Sequence, residues 1–206
     1  MKRKNLIIVL FIAFISLSFS PLAYDKVKYI LDGDTVLLET GRLVRYLGID
    51  APELGHDGRE DEFLAREAKD YNRSLVQKGR VGLEFDLERE DRHGRLLAYL
   101  FTEKGDMINA LMIRKGFARV MVTGSNLKYF PLLRDHQRLA MSEKIGLWGQ
   151  KPVREEAYYL GNAKSYRFHR PSCPFAKSAS PRYLIRFEKS DAAHWEGFSP
   201  CRQCKP

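Results

Sequence analysis

The 206-residue sequence predicts an α+β architecture: a small OB-type, five-stranded β-barrel carrying about three helices, followed by a small zinc-type module. Three observations lead there. Short alternating apolar runs, separated by Gly-containing turns and two helical periods, give the order βββ-α-ββ-α with a closing helix. No cysteine precedes residue 173, so the first part of the chain must stand on hydrophobic packing alone. Beyond Glu156 the composition shifts to prolines and to all three cysteines, Cys173, Cys201 and Cys204.

The elements follow in order. Val27, Tyr29 and Leu31 alternate as a strand, the Asp32-Gly33-Asp34 turn follows, and Val36 to Leu38 resumes. Thr40-Gly41 turns into a third strand, Leu43 to Leu47. Leu64, Ala68, Tyr71 and Leu75 recur at helical spacing within a predicted helix over 60–78, and Gly79 stops it. Val81 to Leu87 alternates as a strand, and Asp91 to Gly94 turns into Leu96–Phe101. Asp106 is placed to cap a helix that carries Ile108, Leu111 and Met112 and ends at Gly116. A short strand is expected over 117–122, and a last helix over 132–144 with Leu132, His136, Leu139 and Ala140 on one side. The divisions expected are 1–23 leader, 24–149 barrel, 150–156 polar Pro-containing linker and 157–206 terminal module. A module of about 50 residues rarely holds itself together by its core, and a structural metal is a common remedy.

Lys2, Arg3 and Lys4 precede the apolar run from Leu6 to Phe19, which is interrupted only by Ser16 and Ser18. That run is shorter than the roughly 20 residues a bilayer span needs and suits an export signal ending at Ala23. Pro21 fits the usual cleavage site poorly, so a retained membrane anchor is the competing reading. Export to a secreted, periplasmic or cell-surface location is expected. The +9 net charge is uneven: residues 157–206 carry nine bases against three acids, 1–23 carry three bases, and 24–156 has no net charge. Long-range attraction for a polyanion therefore belongs to the tail, and in the barrel only locally placed arginines can supply it.

Five charged residues in three short segments carry the chemistry: Asp34, then Arg45, Asp50 and Glu53, then Arg95. Two carboxylates suited to a hard cation, a third suited to handling water, and two guanidiniums are the groups needed to cut a phosphodiester. Arginine's planar fork grips two phosphate oxygens at once, which lysine cannot do. Taken singly, each has a plainer explanation. Asp32-Gly33 is an ordinary hairpin turn, Asp50-Ala51-Pro52-Glu53 is a good helix start, and Arg45 and Arg95 are ordinary strand and turn cations.

Taken together, in order and spacing from about Tyr24 to Trp148, they resemble the staphylococcal nuclease (thermonuclease) family. The resemblance implies that Asp34 and Asp50, with the backbone carbonyl of Ala51, bind Ca2+, and that Asp32 and Thr35 support them from beside. It implies that Glu53 is the general base or orients the attacking water, and that Arg45 and Arg95 bind the scissile phosphate and its transition state. Ala51 stands where the family often has Thr, which keeps the carbonyl and loses a hydroxyl. Val120-Met121-Val122-Thr123-Gly124 lacks the tyrosines that line the nucleotide pocket in the best-known member, so base stacking there is expected to be weaker. Tyr46 and His93 are alternative pocket residues, although a strand-facing Tyr and a turn His are more often structural.

In the tail, His169-(x3)-Cys173-(x27)-Cys201-(x2)-Cys204 offers four ligands with a zinc-knuckle spacing. The segment is similar to the small metal-binding module of the Ada DNA-repair protein, except that Ada-like modules use four cysteines and this one begins with His169. His194 is a competing fourth ligand, and a Cys173–Cys201 disulfide is the competing chemistry. The function expected is an exported Ca2+-dependent endonuclease of DNA, and of RNA if the pocket tolerates it, leaving 3′-phosphate ends, with structural Zn2+ in the tail. It is expected to be monomeric, with no obligate protein partner. A non-catalytic nucleic-acid-binding protein on the same fold is the alternative, and such proteins typically lose the carboxylates or arginines retained here.

Overall fold

The computed structural model describes residues 22–77, 79–150 and 155–206. Most of the expected leader and linker lie outside the described residues, although Ala23, the expected last residue of the leader, opens the first strand. Among the described residues no helix is long and apolar enough to cross a membrane.

Five strands close a barrel in the order β1 (Ala23–Ile30), β2 (Thr35–Leu38), β3 (Leu43–Tyr46), β6 (Leu96–Phe101) and β5 (Arg80–Glu84). All pairs are antiparallel except β3 with β6, which run parallel with Arg45 opposite Leu97. Closure removes open edges. The core holds Val36, Val44, Leu47, Ile49, Ala98 and Leu100, all essentially inaccessible. A two-stranded sheet joins β4 (Ile49–Asp50) to β7 (Arg119–Val120). The expected strand over 117–122 thus forms only at its centre, and outside the barrel.

Helices α1 (Ala65–Val76), α2 (Ile108–Arg114) and α3 (Phe130–Ser142) pack on the barrel. Each boundary differs from expectation for a local reason. Leu64 adopts φ 66°, which breaks the helix predicted from residue 60. Residues 53–62 instead form a loop in which Glu62 accepts from the Glu53 N–H and Asp61 from the Gly55 N–H. Asp106 does not cap α2: it pairs with Thr102 in a turn, and Met107 precedes the helix without a side-chain cap. β5 stops at Glu84 because Asp86 and Glu88 turn to accept backbone N–H groups of Lys128 and Ser125. In α3 the buried side is Leu133, Gln137 and Ala140, one position round from that expected, while Leu132 and Leu139 are exposed.

The tail forms a four-stranded sheet in the order β10 (Leu184–Phe187), β8 (Tyr159–Asn162), β9 (Arg167–His169) and β11 (Ser199–Pro200). Two short helices, α4 (Pro174–Lys177) and α5 (Ser190–Trp195), flank it. Its apolar cluster is Tyr159, Phe168, Phe187, Ala193 and Phe198. It sits against α3: Phe130 meets Tyr166 edge-on, and Arg138 donates to the Trp195 carbonyl at 2.8 Å.

Candidate active site and metal cluster

Asp34 ends the β1–β2 turn because the chain there is pressed inward. A Cβ on Gly33 would lie 2.6 Å from the Ala51 Cβ and 2.9 Å from the Ala68 Cβ, so only glycine lets the turn reach both α1 and the segment after β4. Asn72 of α1, fully buried, donates to the Asp32 carbonyl at 3.1 Å and accepts from the Tyr46 hydroxyl at 2.9 Å. The turn and the end of β3 are thereby held to one helix.

On this frame the site assembles. The Asp34 carboxylate, 3% exposed, accepts from the Ala51 N–H at 2.6 Å and from the Thr35 hydroxyl at 3.2 Å. Asp32 accepts from the Asp34 N–H at 2.9 Å. Burial pushes the Asp32 carboxyl up, against the pull of Arg45. Asp32 and Thr35 therefore brace Asp34 from either side.

Arg45, inaccessible on β3, bridges both carboxylates: Nη1 pairs with Asp34 Oδ2, and Nη2 donates to Asp50 Oδ1 at 2.9 Å. The guanidinium is thereby spent on the two carboxylates, one nitrogen to each. Burial lowers the pKa of Arg45, opposed by Asp50, Asp32 and Glu53. Glu53 lies on the loop after Asp50. Although its side chain is 56% exposed, burial of its carboxyl and the charge of Asp32 raise its pKa above the ordinary carboxylate value, against Arg45.

Arg95 pairs within its own turn, near enough for its charge to act on Asp32 and Arg45. Its Nε donates to Asp91 Oδ2 at 2.7 Å, and its backbone N–H to Asp91 Oδ1 at 3.0 Å. Against burial, Arg95 and the N–H of His93 hold the Asp91 carboxyl below its usual value. Asp34, Arg45 and Asp50 are thus in direct contact, Glu53 stands beside them, and Arg95 is tethered to its own turn.

The donor chemistry suits a hard cation. Two carboxylates meet at one guanidinium, and the 2.6 Å Ala51–Asp34 bond brings the Ala51 backbone beside them. One group escaped the sequence reading altogether. Arg202, between Cys201 and Cys204, donates from Nη2 to Asp50 Oδ1 at 2.9 Å and lies 3.9 Å from Glu53 Oε1. A contact across 152 residues leaves no local signature.

In the tail, one ligand atom from each of His169, Cys173, Cys201 and Cys204 falls within 4.8 Å of the others. His194 is elsewhere, packed edge-on between Trp148 and Phe168. All three cysteines are free thiols. Burial pushes the Cys204 thiol up to about 12, with its two neighbouring sulfurs adding to the rise. The Cys173 thiol is held below its usual value, against burial, by the N–H groups of Phe175 and Ala176. Crowded soft donors of this kind suit zinc.

The family model that matches residues 43–150 is that of the staphylococcal nuclease homologues. The chain is 34% identical over 125 residues to "Endonuclease YncB" of Bacillus subtilis (strain 168), covering 58% of this chain and 59% of that protein. It is 35% identical over 125 residues to the "SPbeta prophage-derived endonuclease YokF" of the same organism, of whose length it spans 42%. To the "Thermonuclease" of Staphylococcus hyicus it is 30% identical over 126 residues, covering 60% of this chain and 74% of that protein.

Proposed function

The chain belongs to the staphylococcal nuclease homologue family, and on that premise we propose that it is a calcium-dependent endonuclease of DNA, and of RNA where the pocket admits it. The observation that carries this reading is the pairing of Asp34 and Asp50 through Arg45, with Glu53 beside them. The relatives named as endonucleases and thermonucleases support it. Asp34, Asp50 and the Ala51 carbonyl would hold calcium, which supplies Lewis-acid stabilisation of phosphoryl charge when bound.

The protein's own groups do the rest. Glu53 takes a proton from the attacking water, and the burial that raises its pKa makes it a stronger base than an ordinary carboxylate. Arg45, fixed between the two carboxylates, lends its guanidinium charge to a phosphoryl oxygen. Arg95, aimed by Asp91, grips a second oxygen. The water oxygen bonds to phosphorus as the bond to the 5′-oxygen breaks, leaving a 3′-phosphate. Residues 157–206 are proposed as a structural zinc module, supported by the four converging ligands. Export is proposed from the basic and apolar start of the sequence alone.

The test is plasmid degradation by the purified protein in calcium, magnesium and chelator, with Asp34→Ala and Asp50→Ala alongside. Cleavage in calcium that chelator and both variants abolish is expected. Full activity in chelator overturns the reading.

A further inference from the structure

We propose that Arg202 is a third substrate-phosphate-binding arginine of the nuclease site, delivered to it by the Cys201–Cys204 loop of the tail. The proposal rests on the nuclease reading above and goes beyond it, because the residue lies outside the barrel and outside the matched region 43–150.

Its placement is not accidental packing of a surface cation. The loop is held at both ends: the Lys205 N–H donates to the Cys201 carbonyl at 2.9 Å, and Arg170 donates to the Cys204 carbonyl at 3.0 Å. Cys201 and Cys204 on either side of Arg202 belong to the four-ligand cluster. The tail that carries the loop is itself fixed to α3, where Gln137 donates to the His194 carbonyl and Arg138 pairs with Glu196. Arg202 therefore projects from a built platform onto Asp50.

The electrostatics explain what it does there. Asp50 Oδ1 accepts from Arg45 and from Arg202, each at 2.9 Å. Two guanidiniums on one carboxylate oxygen leave donors on Arg202 unspent, and the Arg202 side chain is 67% exposed, free to turn outward. A dication held by Asp50 would repel Arg202 from that oxygen and leave it facing the arriving phosphate. Arg167 and Arg202 also line, with Asn162, Gln203 and the cluster residues His169 and Cys201, a pocket of about 670 Å³ in the tail. With residues 24–156 carrying no net charge and 157–206 nine bases against three acids, the tail supplies positive potential that attracts a phosphodiester backbone.

The test compares the full-length protein with Arg202→Ala and Arg202→Lys, with two readouts. First, equilibrium binding of a short, cleavage-resistant DNA oligonucleotide is measured by fluorescence anisotropy in calcium, which leaves a cation on Asp50 and the tail cluster intact. Arg202→Ala should weaken binding about ten- to a hundredfold, the value of one charge-assisted hydrogen bond, and lower the salt slope by about 0.7–0.9. Second, in calcium, Arg202→Ala should raise KM by a similar factor with kcat within about threefold, and Arg202→Lys should recover part of the loss. Unchanged oligonucleotide affinity and salt slope overturn the proposal. So does an Arg202→Ala variant with higher kcat and tighter calcium binding, which would make Arg202 a plug on the metal site. If the wild-type protein cleaves nothing in calcium, the nuclease reading fails while the anisotropy arm still decides the role of Arg202.

Discussion

Gln137 donates its side-chain N–H to the carbonyl of His194 while its Oε1 accepts from the Val120 N–H at 2.7 Å, so one fully buried amide joins α3, β7 and the tail. Both backbone groups would be left without partners in Gln137→Leu, and a buried unsatisfied group costs about 1–3 kcal/mol. Gln137→Glu keeps an acceptor for Val120, but at pH 7 it also buries a carboxylate against the His194 carbonyl, to which only a protonated carboxyl could donate. In urea denaturation relative to wild type, the loss in the Glu variant is expected to shrink as pH falls towards about 5, while that of the Leu variant stays constant. A Glu loss that does not change with pH would show that the carboxyl is solvated and that the junction is not closed around it.

His194 makes that junction sensitive to acid. Burial first, and then the charge of Arg119, depress its pKa to about 3, against an ordinary 6.5. Between those values the unfolded chain takes up a proton that the folded chain excludes, so stability falls as pH drops below about 6.5, by about 1.4 kcal/mol per pH unit at most. His194→Phe keeps the ring between Trp148 and Phe168 and removes the proton site. Urea midpoints at pH 7 and pH 5.5 should converge for the variant relative to wild type. An identical pH dependence in both proteins would assign the effect to other groups.

The barrel and the charged cluster were legible because their signals are local: apolar residues alternate along β1 and β5, and Asp34, Arg45 and Asp50 lie in short segments. Helix phase was less so. Gln137 is a polar residue on a buried face, and periodicity assigns such a residue to solvent until its two partners are known. Arg202 and Asn72 act through contacts distant in sequence, which no window of residues contains. The placement of His194 in an aromatic cage, instead of in the metal cluster, is likewise tertiary: spacing alone admitted it as a ligand.

The tail cluster should bind one equivalent of zinc and release protons as it does so, since ligation deprotonates thiols such as Cys204, whose pKa stands near 12. Isothermal titration in two buffers of different ionisation enthalpy reads that release directly. Cys204→Ser should reduce the affinity and reproduce the weakened oligonucleotide binding of Arg202→Ala, because both disturb the same loop. One free thiol after mild air oxidation, with no zinc retained, would favour the disulfide instead.

Arg45 and Asp34 hold each other in place, so neither can be removed without consequence for folding. Asp34→Ala leaves a guanidinium that is 6% exposed with Asp50 as its remaining close partner within the barrel, and takes the acceptor from the Ala51 N–H. Breaking a buried pair on one side costs about 3–5 kcal/mol. Asp34→Asn keeps an acceptor for Ala51 and should cost less, while removing the charge a cation needs. Thermal melts and calcium titration of the two variants should separate these effects: both lose calcium binding, and Ala lowers Tm further.

Gly33 tests how finely Asp34 is positioned. A Cβ there would meet the Ala51 and Ala68 Cβ atoms at 2.6 and 2.9 Å, closer than carbon atoms pack, and both neighbours belong to the core. Overpacking of this kind costs about 1–3 kcal/mol, and the strain falls on the residue just before Asp34. Gly33→Ala is therefore expected to lower Tm and to weaken calcium binding together. Ala51→Gly removes the nearer of the two clashing atoms without touching a charged group, so the double variant should regain part of both losses. A non-additive cycle of this sign, read in Tm and in calcium affinity, locates the coupling at the Gly33–Ala51 contact. Strict additivity would mean that the turn relaxes elsewhere and that Asp34 does not depend on that close approach.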